Sequence, residues 1–512
     1  MNYTVASATN TAGTYTDLGS AGTAITTTST DDANSAAQNI GFTFNYNGTA
    51  FTQFVLNTNG VVRLGSAAPS TAALYYDNNT ASTSTDPLQS NNAANTNLLM
   101  PFNTDLVPGS GTGGAEYRVA TTGTAGSRVC TIQWKNVADK AGAGSDAANG
   151  TQFANISFQL KLYEGTGVID FVYGPAVAGT AAAGQRFPNV GLKSGGLANA
   201  QLLLGLKSYT AAWSTTTFQN DNYTTNAHDI NKTALPDAGR TYHFVPCSAT
   251  PVVVAAFPYT ENFDSLPVGT LPCGSQLLDA NTDYSTWQVD TDPTGSPPNA
   301  LVYVYSSTNA ANDWFFTPAL SLQAGTRYQL QFKYSADDSN YPEALEVKYG
   351  TAATAAGQTG SLFSNLSITN VAYATTTASQ VAAITPATSG IYYIGFHGIS
   401  QANQSALYVD DIQVTATPVL AVRNAANSVF TAQATPVPFG ESLSLTLNTL
   451  KAGPLHLTMR DALGRVLRQS TTTAPAGTST IAVPEVTNLP AGVYFLNIEQ
   501  GGATQVLRVA HQ

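Results

Sequence analysis

The sequence predicts an all-β protein made of several β-sandwich domains, and three observations lead to this fold class. Charged residues make up only 10% of the 512 residues, so the helix formers Lys, Glu and Arg are scarce. The 24 Tyr and 21 Phe favour strands, and 43 Gly and 25 Pro supply turns. Short runs alternate apolar and polar residues, as half-buried strands do. The length is several times that of a common domain, which predicts a multidomain chain.

Charge and hydropathy exclude several classes of partner. The net charge is −11 and the basic residues are spread thinly, so neither nucleic acid nor an anionic membrane is an expected partner. No apolar run approaches the roughly 18 residues of a membrane span. Polar, strand-like sequence follows Met1 directly, so we expect no signal peptide in this chain. The protein is then either cytosolic or a mature form whose signal was removed.

Residues 1–246 predict an antiparallel sandwich. Asn-Tyr-Asn-Gly (45–48) and Asn-Thr-Asn-Gly (57–60) place Asn or Gly where hairpins need positive φ. Alternating runs occupy 40–47, 51–65, 129–134, 156–173 and 241–245. The hairpin at 57–60, Met-Pro-Phe-Asn-Thr-Asp, Gln-Trp-Lys-Asn-Val, the Phe-Gln strand and Phe-Val-Tyr-Gly follow in that order. Over roughly residues 40–195 this order resembles the nidogen-like type of extracellular β domain.

Residues 257–417 form a second predicted domain after a linker at 248–256. Six ordered segments resemble the cleaved-adhesin or choice-of-anchor jelly rolls found beside gingipain-type surface proteases. The segments lie at 257–272, 279–287, 313–334, 341–350, 392–400 and 407–414. The resemblance implies a jelly roll in this part of the chain.

Residues 436–512 predict a small Ig-like domain after a Thr/Pro/Ala-rich stretch at 415–437. Four alternating strands, the turn of Asp461, Gly464 and Arg465, and a Gly-Val-Tyr strand are similar to the type A C-terminal sorting domain of the type IX secretion system. The resemblance implies handling by the type IX machinery through residues 436–512. It also implies a place outside the outer membrane of a Gram-negative bacterium, which decides for the mature form, with cleavage of the domain left open.

Four carboxylates of the second domain predict a structural calcium ion. Glu261 and Asp264 begin this domain, and Asp410 and Asp411 lie in its last strand. The first and last strands of a jelly roll commonly lie side by side. Consecutive strand residues point to opposite faces, so one of the two aspartates should be directed inward and need a partner. A calcium ion would be such a partner, and hydrogen bonds from loop amides are the alternative.

A second acidic segment, Asp-Ala-Asn-Thr-Asp, has the spacing of the first half of a calcium loop. It lacks the glycine and the final glutamate of an EF-type loop. A turn is therefore expected, with Asp279 or Asp283 available to some other ion.

Several other motifs have structural interpretations. The run Gly109–Gly114 matches a dinucleotide fingerprint, but a strand pattern follows it, so we expect a hairpin loop. His228 is expected in a solvated loop, and Trp287 and Trp314 are expected in the core rather than in sugar stacking. Three cysteines are present: Cys130 is expected as a buried free thiol, while Cys247 and Cys273 either pair or stay reduced.

Taken together, these patterns predict a non-enzymatic, secreted or surface-anchored adhesin that binds glycan or extracellular protein. The alternative is a structural subunit that self-associates through edge strands into a fibre or layer. A polysaccharide hydrolase is disfavoured, because no pair of carboxylates stands in a recognised catalytic context.

Overall fold

The computed structural model describes residues 1–76, 85–90, 92–141, 150–196, 199–220, 227–283, 285–292, 298–418 and 430–512. These residues form antiparallel sheets with short 3₁₀ helices at Asn199–Gln201, Trp213–Thr215 and Ala355–Gly357. The chain divides into two units, Met1–Val419 and Leu420–Gln512. Within the described ranges, no helix is long and apolar enough to cross a membrane. The predicted all-β fold class is confirmed.

Residues 3–246 form two sheets around one core. The strands are β1 Tyr3–Ala12, β2 Thr23–Ala24, β3 Gln38–Tyr46, β4 Thr49–Asn57, β5 Val61–Leu64, β6 Leu98–Asn103, β7 Leu106–Pro108, β8 Glu116–Thr122, β9 Val129–Asp139, β10 Phe153–Tyr163, β11 Ile169–Ala178, β12 Asn189–Lys193, β13 Leu202–Leu206, β14 Thr217–Gln219 and β15 Arg240–Pro246. One sheet has the order β1-β15-β11-β10-β9-β8-β2, with β7 beside β9, and the other β14-β13-β12-β6-β5-β4-β3. The core includes Trp134 stacked on Phe158 at 5.1 Å.

The hairpins of these sheets use the turn residues that the sequence predicts. Asn47 and Gly48 have φ values of 50° and 82° between β3 and β4. Gly60, between β4 and β5, has a φ of 73°, and a Cβ there would lie 2.0 Å from the carbonyl oxygen of Phe102, so only glycine fits. The run Gly109–Gly114 lies in a loop between β7 and β8, as expected, but this loop is not a hairpin, because both strands pair with β9 and not with each other.

Residues 253–418 form the sheets of the jelly-roll domain. Its strands are β16 Val253–Val254, β17 Tyr259–Glu261, β18 Gln276–Asp279, β19 Trp287–Thr291, β20 Asn299–Val304, β21 Asp313–Phe316, β22 Ala319–Leu322, β23 Thr326–Ala336, β24 Glu343–Gly350, β25 Gly360–Ile368, β26 Ala374–Thr375, β27 Gly390–Gly398 and β28 Ala406–Pro418. One sheet contains β16-β22-β27-β21-β18 with β24 between β27 and β25, and the other contains β19-β20-β28-β23-β26 with β17 beside β28. The predicted neighbourhood of the first and last strands is thus present, as β17 pairs with β28. Part of the predicted linker is a strand, because β16 pairs with β22.

A disulfide joins Cys247, just after β15, to Cys273 of the jelly-roll domain, with the Cα atoms 6.0 Å apart. Asn2 reinforces this junction: its carbonyl oxygen accepts from the Cys247 amide at 2.7 Å, and its side chain accepts from the Gly274 amide at 3.3 Å. The sequence left both states of this pair open. Cys130 is a buried free thiol, as predicted.

The sorting-domain unit contains β29 Phe430–Thr435, β30 Ser444–Thr449, β31 Gly453–Asp461, β32 Val466–Ala474, β33 Gly477–Ala482, β34 Gly492–Gln500 and β35 Ala503–His511. They form the sheets β29-β30-β33 and β32-β31-β34-β35. Strand β29 lies inside the stretch predicted as a linker. The Thr/Pro/Ala composition hid a strand whose Phe430 and Ala432 are buried in alternation.

Candidate metal centre

Three aspartates of the jelly-roll domain converge at one end of β18 and β21. Asp279 is the last residue of β18 and is paired in register with Asp313, the first residue of β21. Asp283 lies in the loop that follows β18. One carboxylate oxygen from each of the three lies within 4.8 Å of those of the other two.

Strand alternation explains why Asp313 points into the domain. Phe315 belongs to the apolar core, and Asp313, two residues earlier, lies on the same side of β21. Asp313 has no exposed surface. The Trp287 indole nitrogen donates to the Asp313 carbonyl oxygen at 3.0 Å, which fixes the backbone at this point.

Two carboxylate oxygens of the cluster accept no hydrogen bond from the described residues. Asp313 Oδ2 accepts from the Asn312 amide at 3.0 Å, and Asp283 Oδ1 accepts from the Ser285 amide at 3.0 Å. The other oxygen of each, Asp313 Oδ1 and Asp283 Oδ2, is buried without a hydrogen-bond donor among the described residues. Asp279 Oδ1 accepts from the Thr282 amide at 2.6 Å. A buried carboxylate oxygen without a donor is costly, so the cluster calls for a cation or a proton.

Electrostatics point the same way. Burial, opposed by the hydrogen bond from the Asn312 amide and reinforced by the charges of Asp279 and Asp283, raises the pKa of Asp313 to about 8. None of the groups that shift this pKa is basic. Without a bound cation, Asp313 therefore holds a proton at neutral pH.

The jelly-roll domain contains a further buried carboxylate. Glu343 has no exposed surface; its Oε1 accepts from the Ser405 amide at 2.8 Å, and its Oε2 has no donor among the described residues. Burial raises its pKa. Burial and then the charges of Asp313, Asp283, Glu343 and Asp279 raise the pKa of Tyr303.

These features fit a hard divalent cation. Calcium takes carboxylate and carbonyl oxygens on irregular segments, and the loop after β18 supplies such a segment. The residues that can hold the ion are Asp279, Asp283 and Asp313. The sequence predicted a turn here, with Asp279 or Asp283 available to some other ion, and missed Asp313. The sequence did contain a signal for Asp313. It stands two residues before Phe315 in one strand, so both side chains lie on the same face of that strand.

The four carboxylates predicted to share one calcium ion have different hydrogen-bond partners. Glu261 Oε1 accepts from the Phe263 amide at 2.9 Å, and Asp264 Oδ2 accepts from the Asn262 side chain at 2.7 Å. Asp410 is fully buried, and its Oδ1 accepts from the Asp411 amide at 2.7 Å.

Asp411, by contrast, is half exposed and forms an ion pair with Lys333 at 2.6 Å. One aspartate of the pair is thus buried, as strand alternation predicts, while the other has a lysine that the sequence did not indicate. A calcium ion shared by all four carboxylates stays a prediction.

Glu261 and Asp411 line a recess of about 240 Å³ in the jelly-roll domain. It lies over β17, β28, β23 and β26. Asp411, at the β-bulge opposite Phe332, has a φ of 47°, a conformation that costs a non-glycine residue energy and is enriched at functional sites. The lining side chains offer hydroxyl, amide and charged groups: Thr260, Glu261, Asn262, Gln331, Lys333, Thr375, Asp411 and Gln413.

Two other groups have structural explanations. His228 is buried, not solvated as predicted: its Nε2 lies 2.7 Å from the Tyr242 hydroxyl, and its ring packs on Trp213. The polar composition around it misled the prediction, because distant aromatic residues cover it. The aspartates Asp31, Asp32 and Asp105 also cluster, but Lys140 lies 2.8 Å from Asp31 and 3.6 Å from Asp105 and supplies a cation.

Comparison with known proteins identifies the two ends of the chain. Residues 2–246 match the family model described as NIDO related, and residues 434–511 match that of the secretion system C-terminal sorting domain. No curated protein matches.

Among solved structures, two cleaved adhesin domains of Lys-gingipain from Porphyromonas gingivalis are each 20% identical, with a TM-score of 0.24; they cover 31% and 32% of this chain and 98% and 99% of their own. The C-terminal CBM6 of LamC from Zobellia galactanivorans is 16% identical, covers 28% of this chain and 98% of its own, and has a TM-score of 0.18.

The class of protein follows from the C-terminal match: this is a secreted or cell-surface protein with a secretion sorting domain. More particularly, it joins a NIDO-related domain to a type IX sorting domain, as the sequence resemblance implied.

Proposed function

We propose that the protein is a surface-displayed, non-enzymatic adhesin that binds an extracellular glycan or protein and is stabilised by calcium in its jelly-roll domain. The sorting domain carries this proposal, since it directs the domains before it out of the cell. The ligand-binding part then lies within residues 1–418, and the sorting domain is handled by the type IX machinery at the outer membrane.

The recess over β17 and β28 favours a polar ligand. Sugar hydroxyls pair with amide, hydroxyl and carboxylate side chains, and this recess contains all three kinds. Gln331 and Gln413 face each other in register across β23 and β28 and both line it. A glycan is therefore the ligand class that the recess suits best.

Calcium at Asp279, Asp283 and Asp313 has a structural role in this proposal. The ion would satisfy Asp313 Oδ1 and Asp283 Oδ2 and replace the proton that Asp313 otherwise holds. It would join the end of β21 to the loop after β18.

A glycan and matrix-protein array probed with residues 1–435 tests the binding function. Binding of the wild type is expected, with at least about a tenfold loss of affinity in Gln413→Ala. The exposed Gln323 lies outside the recess, so Gln323→Ala is the matched control. Loss of affinity in both variants, or in neither, would move the ligand site elsewhere.

The same preparations separate the alternatives. Large, ordered assemblies in size-exclusion chromatography and electron microscopy, without array binding, would favour a structural subunit. Release of reducing ends from a bound polysaccharide would instead show a hydrolase.

A further inference from the structure

The outward face of the sheet β32-β31-β34-β35 carries a row of basic and apolar side chains, in which Arg460 is half-buried and the others are exposed. Register places Val466 opposite Arg460, Arg460 opposite Phe495, and Phe495 opposite Arg508, so the row crosses all four strands. We name these four residues the arginine row. Phe495 thus lies between two arginines.

The row is exposed and apolar enough to be an interaction surface. Phe495 is 37% exposed and Val466 is 45% exposed. Val506, opposite Asn497 on the neighbouring strand, is 52% exposed and extends the apolar surface. Contiguous exposed apolar side chains framed by charges are typical of protein-binding sites, where arginine and aromatic residues contribute most.

The two arginines of the row, Arg460 and Arg508, form no ion pair among the described residues, whereas two other arginines of the domain do. Arg465 pairs with Asp461 at 2.7 Å, and Arg468 pairs with Glu485 at 3.4 Å. Arg460 donates to the Gly464 carbonyl oxygen at 3.0 Å. Within the described part of the chain, no carboxylate lies within 4.0 Å of Arg460 or Arg508. Both guanidinium groups are thus available to an anionic partner.

The other sheet of the same domain differs in charge. The outward, exposed side chains of β29, β30 and β33 are uncharged: Thr431, Gln433, Thr446, Asn448, Thr478 and Thr480. Charge and exposed aromatic surface are therefore concentrated on one face of the domain, although the complete chain has a net charge of −11.

We propose that the arginine row is the surface through which the sorting domain docks on the secretion machinery. The partner is an acidic protein surface with an apolar pocket that receives Phe495, flanked by carboxylates that pair with Arg460 and Arg508. Charge complementarity selects this partner, and the matched domain family places it in the export pathway. The inference rests on the proposed handling by the type IX machinery.

Export of the full chain, fused to a cleavable signal peptide and expressed in a bacterium with a type IX system, tests the row. Arg460→Glu combined with Arg508→Glu should lower the exported protein at least about tenfold and leave it in the periplasm, because each pair becomes repulsive. Phe495→Ser should lower export by a smaller factor. The combination Thr446→Glu and Asn448→Glu adds two charges to the opposite sheet and should be exported like the wild type.

Three controls separate the explanations. Purified full-length variants must unfold at the wild-type temperature, which shows that the exposed substitutions leave the fold intact. A chain that lacks residues 436–512 must stay in the periplasm; if it is exported, the proposed handling fails. If that deletion blocks export but the charge-reversed row is exported normally, the row inference alone is wrong. A row variant that abolishes dimers of purified protein while export is normal would make a second copy the occupant and overturn the inference.

Discussion

The jelly-roll domain and the sorting domain differ in whether their charged side chains are buried or exposed. Residues 257–417 contain 13 acidic and 3 basic residues, and Asp313, Glu343 and Asp410 have no exposed surface. Residues 436–512 contain 4 acidic and 5 basic residues, and Arg460 and Arg508 lie on an outer sheet face. A buried charge needs a counterion to preserve the fold, whereas an exposed unpaired charge costs little and is free to recognise a partner. The two proposals therefore give the charges different roles: the buried carboxylates would stabilise one domain through a cation, and the outward-facing arginines would bind a partner of the other.

Removal of residues 436–512 should have the largest effect, since it removes the exposed basic surface entirely. We expect no protein at the cell surface, while residues 1–435 stay folded because Met1–Val419 forms its own unit. Surface labelling and circular dichroism of the purified truncation measure the two outcomes. Aggregation of residues 1–435 and also of residues 1–418, which lack the strand β29, would show that the two parts depend on each other for folding.

Calcium should stabilise the jelly-roll domain. A ligand that binds only the native state at a hundredfold excess over Kd adds about 2.7 kcal/mol. For a domain of this size, the melting temperature should rise by roughly 5 to 10 °C. Calorimetry of residues 1–435 with calcium and with chelator measures this shift.

Substitutions locate the ion. Asp313→Asn should abolish the calcium response, because it removes a buried ligand charge but little volume. Asp264→Ala and Asp411→Ala test the site predicted at Glu261, Asp264, Asp410 and Asp411. Loss of the response in these two variants, with Asp313→Asn responding like the wild type, would move the ion to that site. Identical melting with calcium and chelator would mean that neither site binds it.

In chelator, stability should fall as pH rises from about 4 to about 8. The pKa of Asp313 is raised to about 8 in the folded state, so the unfolded chain loses its proton first and is favoured as pH rises. Calcium should reverse part of this loss, since it replaces the proton. Asp313→Asn should flatten the profile in chelator. Equal profiles for the wild type and this variant would show that Asp313 does not titrate in this range.

Local patterns predicted the fold well, whereas the candidate sites depend on pairings that they do not reveal. Alternation and Asn-Gly turns identified strands such as β3 and β4 because both signals are local. Asp313 was missed, since only the register of β18 with β21 brings it to Asp279. Lys333 was missed for the same reason, because it reaches Asp411 from β23. The sequence placed His228 in solvent because the residues that cover it, Trp213 and Tyr242, lie outside the polar segment around it.

The smallest effect is expected from the ion pair of Lys333 and Asp411. Their side chains are 35% and 43% exposed, so solvent screens their attraction, and such pairs contribute roughly 0 to 1 kcal/mol. Lys333→Met should therefore change the melting temperature of residues 1–435 by no more than about 4 °C. The calcium response should stay at its wild-type size if the ion binds at Asp313. A larger calcium response in Lys333→Met would show that the lysine holds a cation position beside Asp411, and the contrast between buried and exposed charge in this domain would then no longer apply to Asp411.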